Sequence, residues 1–357
     1  MAMKTIVALP GEGIGPEVVD ATCDLLMGTG LPLKILTPPQ SAPLPEETKR
    51  AARAADGVLF GAAGPSTSPV VSWLRWEMAA WAGVRPIRFF PGMRSPLADP
   101  DGIDYVLLRE NSEGLYPGRE GDLADLVRLM PNLSDRTGRT VKDFGTEGRF
   151  AVKVVTPRGA ERIARFACDL ARKRQARGKP GKVTCVTKSN VLPRTDGLYD
   201  EIVGRIVREA GLAFEHFHVD DAARRLVRFP KAMDVVLCMN LYGDILSDLG
   251  AETAGGLGLA PSANFGDGWA YFESVHGSAP DIAGQGKANP LAMILSFAMM
   301  LRYSFERGED ADLVEAAVRD VLDAGYRTGD IMQPGKKLVS TTQMGEAVMA
   351  ALDKRAA

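Results

Sequence analysis

The chain has 357 residues, 45% of them hydrophobic, and a formal net charge of −2. That length suits a large core and two domains, and the near-neutral balance gives no electrostatic reason to expect a nucleic-acid or anionic-membrane partner. Four scattered cysteines with no paired CxxC spacing argue against a disulfide framework or a structural zinc module and fit a reducing cytoplasm.

Taken in chain order, "KTIVALP" predicts a first strand, and the N-terminus lacks the long apolar stretch and cleavage site of a secretory signal. "GPEVVDATCDLLM" predicts a helix, with Pro16 in its first turn and Val18, Val19, Thr22, Leu25 and Leu26 as its stripe. The intervening "GEGIGPE" imitates a dinucleotide fingerprint, but Pro16 stands where the last glycine of GxGxxG is required. No acidic residue closes a second strand about 20 residues on, so an ordinary Rossmann site is not expected. Strands are predicted at 57–62, 104–110, 182–189 and 233–240, and an amphipathic helix at 157–174. The polar, glycine-interrupted segment 118–150 predicts an arm or hairpin. "LAMILSFAMML" (291–301) is too short to span a bilayer and predicts a core helix. Alternating strands and helices give an α/β fold with mainly parallel sheets flanked by helices.

The chemistry starts in "NLYGDILSDL" (240–249), where Asp244 and Asp248 lie four apart on one helical face. Like charges at that spacing cost roughly 0.2–0.5 kcal/mol. A hard cation such as Mg²⁺ or Mn²⁺ between them would reverse that cost; helix-end charge and solvation account for the pair equally well. Asp220 and Asp221 stand at a strand-to-helix junction, where they either cap the helix or reach a cleft. Arg109 and Lys188 end apolar strands, the place where ligands gather in open α/β sheets. Arg75 and Arg85 supply two more forked donors for a carboxylate. Tyr116, before Pro117-Gly118, packs over a turn if read alone, and His216 and His218 read as structural.

Together these stretches resemble a family. "PGEGIGPE", "RENSEGLY", "TKSNVL", "VDDAARRLV", "NLYGDILSDL" and "HGSAPDIAGQGKANP" occur in order across nearly the whole chain. They resemble the metal-dependent β-decarboxylating dehydrogenases, the group of isocitrate, 3-isopropylmalate, homoisocitrate, tartrate and D-malate dehydrogenases. The resemblance implies a two-domain, isopropylmalate dehydrogenase-like fold, with residues 1–80 and 255–357 as the large, cofactor-side domain and 81–254 as the small one. It implies Asp244 and Asp248 as ligands of Mg²⁺ or Mn²⁺, with Asp220 from the other subunit of a homodimer. Arg75, Arg85 and Arg109 would hold the substrate carboxylate, with Val191 beside the substrate. Lys188, also from the partner, would act on the hydroxyl proton, and Tyr116 would be the general acid. Ile14, His276, Gly277, Ser278, Ala279, Asp281, Ile282 and Asn289 would form the NAD site. Asp281 favours two ribose hydroxyls over a 2′-phosphate, hence NAD over NADP.

Departures bear on the substrate. Glu12 replaces an aspartate, and Gly83 a residue that is often asparagine. Pro69 and Val71 stand where isocitrate-specific members carry serine and asparagine, so a distal carboxylate would go unpaired at a cost. An apolar or very small C3 substituent is favoured. The expectation is an NAD- and metal-dependent cytoplasmic enzyme that oxidatively decarboxylates a 3-substituted D-malate, 3-isopropylmalate or a close analogue. Tartrate, D-malate or isocitrate and homoisocitrate oxidation is the alternative within the class, and a non-catalytic regulatory relative the alternative outside it.

Overall fold

The computed structural model describes residues 3–356. In chain order its strands are β1 (Lys4–Gly11), β2 (Leu33–Leu36), β3 (Gly57–Ala62), β4 (Ala82–Arg88), β5 (Asp104–Glu110), β6 (Glu120–Asp122) and β7 (Arg149–Ala151). Then follow β8 (Lys182–Thr187), β9 (Ala213–His218), β10 (Val235–Cys238), β11 (Pro261–Phe265), β12 (Ala270–Ser274), β13 (Tyr326–Arg327) and β14 (Lys337–Leu338). The helices are α1 (Gly15–Gly28), α2 (Glu46–Ala54), α3 (Ser68–Ser72), α4 (Leu123–Leu129), α5 (Pro157–Gln175) and α6 (Asp196–Glu209). After them come α7 (Val219–Arg228), α8 (Asn240–Thr253), α9 (Leu291–Tyr303), α10 (Gly308–Asp323) and α11 (Thr341–Ala356).

One sheet of ten strands carries the molecule, in the order β2-β1-β3-β12-β11-β4-β5-β10-β8-β9. Helices flank it, giving the α/β class expected. Pairing is parallel on both wings. The centre departs from the predicted parallel run, because β11 is antiparallel to both β12 and β4, and β4 is antiparallel to β5. The physical reason is a hairpin: Gly266-Asp267-Gly268 turns β11 back into β12, with Gly268 at φ +80 and the Gly266 N–H donating to the Trp269 carbonyl at 3.0 Å. The two wings therefore run in opposite senses. On one wing Arg109 pairs in register with Cys238, which pairs with Val186. The carboxyl ends of β5, β10 and β8 thus deliver Arg109, the start of α8 and Lys188 side by side.

The glycines of "GEGIGPE" serve packing. Gly11 has φ +75, and a Cβ there would sit 2.0 Å from the Ala62 carbonyl oxygen; one on Gly15 would sit 2.0 Å from that of Pro10. β1 and α1 press against β3 only because those side chains are missing, and Pro16 occupies the first turn of α1.

Every residue of α9 from Leu291 to Leu301 is buried, between the sheet at β11 and β12 and helix α10. A helix apolar all round needs such a setting. Phe297 is fully buried there, so Phe297→Ala is expected to destabilise the fold by about 3–5 kcal/mol, measured as a fall in the urea midpoint with the slope unchanged. Among the described residues no helix is long and apolar enough to cross a membrane. Segment 118–150 forms the expected arm: β6 and β7 pair antiparallel, with α4 between them and exposed Leu129, Met130, Leu133 and Phe144.

Candidate active site

α8 follows β10 directly, with Asn240 as its first residue. Asn240 is buried and locks two elements together: its Oδ1 accepts from Arg109 Nε at 3.0 Å, and its amide donates to the Glu113 carbonyl at 3.0 Å. Gly243 lets Arg109 run under the helix, since a Cβ there would meet Arg109 Cγ at 2.8 Å. One turn on, the Asp244 carboxylate accepts hydrogen bonds from Arg109 Nη1 and from the Tyr116 hydroxyl, and Arg85 Nη1 lies 3.4 Å away. Arg85 also donates to the Ser247 hydroxyl. The Arg109 guanidinium stacks on the Tyr116 ring, 4.4 Å from its centroid. Tyr116 is therefore more than turn packing.

Burial works against charge at Asp244, but Arg109, the Tyr116 hydroxyl and Arg85 outweigh it and hold the carboxyl below its ordinary range. Asp248 behaves oppositely. Desolvation raises it, Arg85 opposes, and the Asp244 charge adds to the rise. Burial raises Tyr116, and its hydrogen bond to Asp244 adds to this. Burial, with Arg85 and Arg75 nearby, draws Arg109 down to about 10, which still leaves it charged near neutrality.

Arg75 is carried by a single π-helical turn, Trp73–Glu77, directly after α3. Its Nε lies 3.2 Å from the Tyr271 hydroxyl and its Nη2 3.3 Å from Glu273 Oε1. Glu273 in turn accepts from Asn264 at 3.0 Å, and Asn264 Oδ1 accepts from Asn111 at 2.8 Å. Gly83 makes room for this chain, because a Cβ there would sit 2.9 Å from the Asn111 amide nitrogen. Glycine at 83 thus leaves the space that the Asn111 side chain occupies. Glu12 has a structural role: it accepts from the Ser66 N–H at 3.1 Å and from the Ser66 hydroxyl. Trp73, at the start of the same turn, is buried in the cluster with Val70, Leu74 and Phe60, under the Arg53 guanidinium.

The arrangement leaves unused capacity. Arg85 Nε and Arg109 Nη2 are buried and find no partner among the described residues. Buried donors without acceptors are costly, and a carboxylate is the acceptor that guanidinium nitrogens pair with most strongly. His276 Nε2 is likewise buried without a partner, while Nδ1 lies 3.0 Å from the Gly277 carbonyl. The loop that carries His276, Gly277, Ser278, Ala279, Asp281 and Ile282 is pinned by the Ile14 N–H, which donates to the Ser278 carbonyl at 2.8 Å. Gly13 allows this approach, since a Cβ there would meet that oxygen at 1.9 Å. Asn289 donates to Asp330 at 3.1 Å. Asp281 is exposed.

Lys188 and Asp220 form an ion pair with each other, at 26% and 69% side-chain exposure, and neither bonds to Asp244, Arg109 or Tyr116. Among the described residues no three His, Cys, Asp or Glu side chains meet as a metal-holding group, so one chain does not bring Asp220 to Asp244 and Asp248. Val191 is exposed, its carbonyl accepting from Arg136 on the arm. His216 hydrogen-bonds Thr187 at 2.8 Å and His218 packs edge-on against it, a structural pair. The buried Asp196 accepts from Lys153, from the Tyr242 hydroxyl at 3.1 Å and from the Lys188 N–H at 2.8 Å. No local pattern announces that cluster, because its members lie 43 and 46 residues apart.

A sequence family described as isocitrate/isopropylmalate dehydrogenase matches residues 5–348. The chain belongs to that family. The 3-isopropylmalate/3-methylmalate dehydrogenase of Methanocaldococcus jannaschii is 43% identical over 97% of this chain and 98% of its own. The 3-isopropylmalate dehydrogenase of Carboxydothermus hydrogenoformans is 37% identical over 96% and 93%. A crystal structure of isocitrate dehydrogenase from Methylococcus capsulatus superposes with a TM-score of 0.85 at 36% identity, covering 98% of this chain and 99% of that one. Family membership makes this protein a decarboxylating hydroxyacid dehydrogenase.

Proposed function

We propose that the enzyme catalyses NAD-dependent oxidative decarboxylation of a 3-substituted D-malate, with 3-isopropylmalate or a close analogue as substrate, at a site shared by two chains and holding Mg²⁺ or Mn²⁺. The observation that carries it is the pair of buried, partnerless guanidinium nitrogens on Arg85 and Arg109 beside an ionised Asp244. That is a carboxylate receptor abutting an anionic oxygen donor. Asp244 and Asp248, one turn apart, fit a hard cation, which would offset the burial that raises Asp248 and the Asp244 charge that adds to the rise. Asp220, largely exposed at the start of α7 and paired only with Lys188 among the described residues, would complete the ligand set of a second copy. Exposed Ile245 on α8, with Val227 and Phe229 at the end of α7, supplies apolar surface for a two-fold interface. The partition into lobes at 1–80 with 255–357 and at 81–254 belongs to the same proposal.

Asp244 and Asp248 would hold a cation that, when bound, would lower the pKa of the substrate hydroxyl and steady the negative charge of decarboxylation, and a bound nicotinamide would supply the hydride acceptor. The chain's own work is positional and protonic. Arg75, Arg85 and Arg109 fix the carboxylate next to the hydroxyl-bearing carbon. Lys188 of the partner subunit, as the neutral amine, accepts or relays the hydroxyl proton, and Tyr116 returns a proton to the carbon that lost CO₂. Asp244, accepting from the Tyr116 hydroxyl, holds it in place for that transfer. The buried His276 Nε2 and the exposed, uncrowded Gly277 fit an NAD adenosine half, with Asp281 turning away a 2′-phosphate. Four free thiols fit the cytoplasm.

The substrate side chain is the finer part. Val71 and Pro69 precede the π-turn that carries Arg75 and offer no partner for a distal carboxylate, which supports an apolar substituent over isocitrate. The experiment is an NADH-production screen over 2-hydroxy diacids with Mg²⁺ or Mn²⁺. Expected are the highest kcat/KM with an alkyl-substituted D-malate, a preference for NAD over NADP, and loss of activity with EDTA. Isocitrate as the best substrate, or activity unaffected by EDTA, would contradict the proposal.

A further inference from the structure

On the side of β4 and β5 away from α8 lies a cavity of about 500 Å³, within the range of small-molecule sites. Along a strand successive side chains alternate faces. Arg85 and Ile87 on β4, with Tyr105 and Arg109 on β5, face α8: a Cβ on Gly250 would meet Ile87 and Tyr105, as one on Gly243 would meet Arg109. Pro86 and Arg88, with their register partners Val106 and Asp104, line the cavity instead. Its other walls are the end of α5 and the second half of α9, so it is bounded both by residues below 254 and by residues above 255.

Its lining is amphipathic. Phe90, Val106, Leu170, Leu295 and Met299 form an apolar floor. Six cations (Arg88, Lys173, Arg174, Arg177, Lys179 and Arg302) stand against two lining carboxylates, Asp104 and Glu315. Most are already paired. Arg174 meets Asp104 and Asp234, Lys179 meets Asp104, Arg88 meets Glu315, and Arg302 meets Asp312 and Glu315. Lys173 and Arg177 have no ion-pair partner among the described residues, although the chain as a whole carries a net charge of −2. An apolar chamber with uncompensated positive charge at its edge fits a ligand with an apolar body and one anionic head.

We propose that this cavity is a second, non-catalytic binding site for a small organic carboxylate with a branched or aryl body, and that its occupant alters substrate affinity through β4. A ligand seated against Pro86 and Arg88 bears on the strand whose other face presents Arg85. The binding half stands on the cavity alone; the effect on substrate affinity rests on the function proposed above.

Isothermal titration with 1-naphthylacetate, and with its uncharged amide as control, tests the site on the intact enzyme. The acid is expected to bind one equivalent per chain even when D-malate saturates the active site, and to bind at least tenfold more tightly than the amide. The charge reversals Lys173→Glu and Arg177→Glu together, both on exposed positions, are expected to weaken it at least tenfold. They should also abolish a twofold or larger change in the KM for the hydroxy diacid that the acid produces in the parent enzyme. No binding, equal binding of acid and amide, or binding that D-malate displaces and the charge reversals leave unchanged would overturn the site. Binding without a change in KM would overturn the coupling through β4. Should D-malate fail to bind, 3-isopropylmalate takes its place in the competition; if neither binds, the proposed substrate class falls, and the charge-reversal comparison still decides the cavity.

Discussion

Asp244→Asn is expected to lower kcat/KM by about 10³-fold or more, a loss of roughly 4 kcal/mol of transition-state stabilisation. The substitution keeps the volume and one acceptor oxygen, so the Tyr116 hydroxyl and Arg109 retain a neighbour of similar shape. What disappears is the charge. Arg85, Arg109 and Arg75 all converge on this carboxylate, and without it the buried Arg109 faces two other guanidiniums with less compensation. Half of the proposed oxygen pair for the divalent cation disappears as well, and the screened repulsion at Asp248 is relieved in the wrong way, by deleting the ligand. Some stability is lost too, about 1–3 kcal/mol for a charged hydrogen-bond partner removed from a half-buried site. Circular dichroism and a urea midpoint separate that from the catalytic loss. A variant that is folded and retains more than a tenth of the parent kcat/KM would remove Asp244 from the chemistry.

Lys188→Met is expected to lower kcat by about 10²–10⁴-fold, the range of general acid–base contributions, with a much smaller change in KM. The ammonium pairs with Asp220 in the isolated chain, an exposed contact of little worth to stability, and Met keeps the aliphatic stem. Folding should therefore survive. Lys188→Arg should not rescue, because a guanidinium does not give up its proton near neutrality. Steady-state kinetics at saturating hydroxy diacid give the answer. A kcat within threefold of the parent would strip Lys188 of its protonic role.

How much of this was legible in the sequence follows from range. Elements with a local period were read closely: 57–62 and 104–110 coincide with β3 and β5, and 157–174 with α5 to within one residue. Arg109 and Lys188 could be picked out because strand ends announce themselves by an apolar run that stops at a charge. Asp244 and Asp248 stood out as like charges at helical spacing. The antiparallel centre was not read, because strand direction depends on which non-consecutive strands meet, and "GDG" was the only local clue to the reversal. Glu273, Asn264 and Asn111 form the chain that holds Arg75, and Asp196 with Lys153 and Tyr242 anchors Lys188. Each is a long-range polar contact between residues with no shared period, and only tertiary packing brings them together. Tyr116 belongs between these cases. Alone it is a turn residue; its role becomes visible when Arg109 is found under its ring and Asp244 at its hydroxyl.

The proposed sharing of the site between two chains is most directly tested by a heterodimer. Co-expression of Asp244→Asn with one affinity tag and Lys188→Met with another, followed by selection for both tags, yields dimers in which one site keeps its own Asp244 and receives an intact Lys188. The other site carries both defects. Two nearly inactive chains should then give about half the parent activity per dimer, as expected for two independent sites related by a two-fold axis. Activity no higher than that of the single-variant homodimers would mean that each chain uses its own lysine, and would contradict the account at its centre.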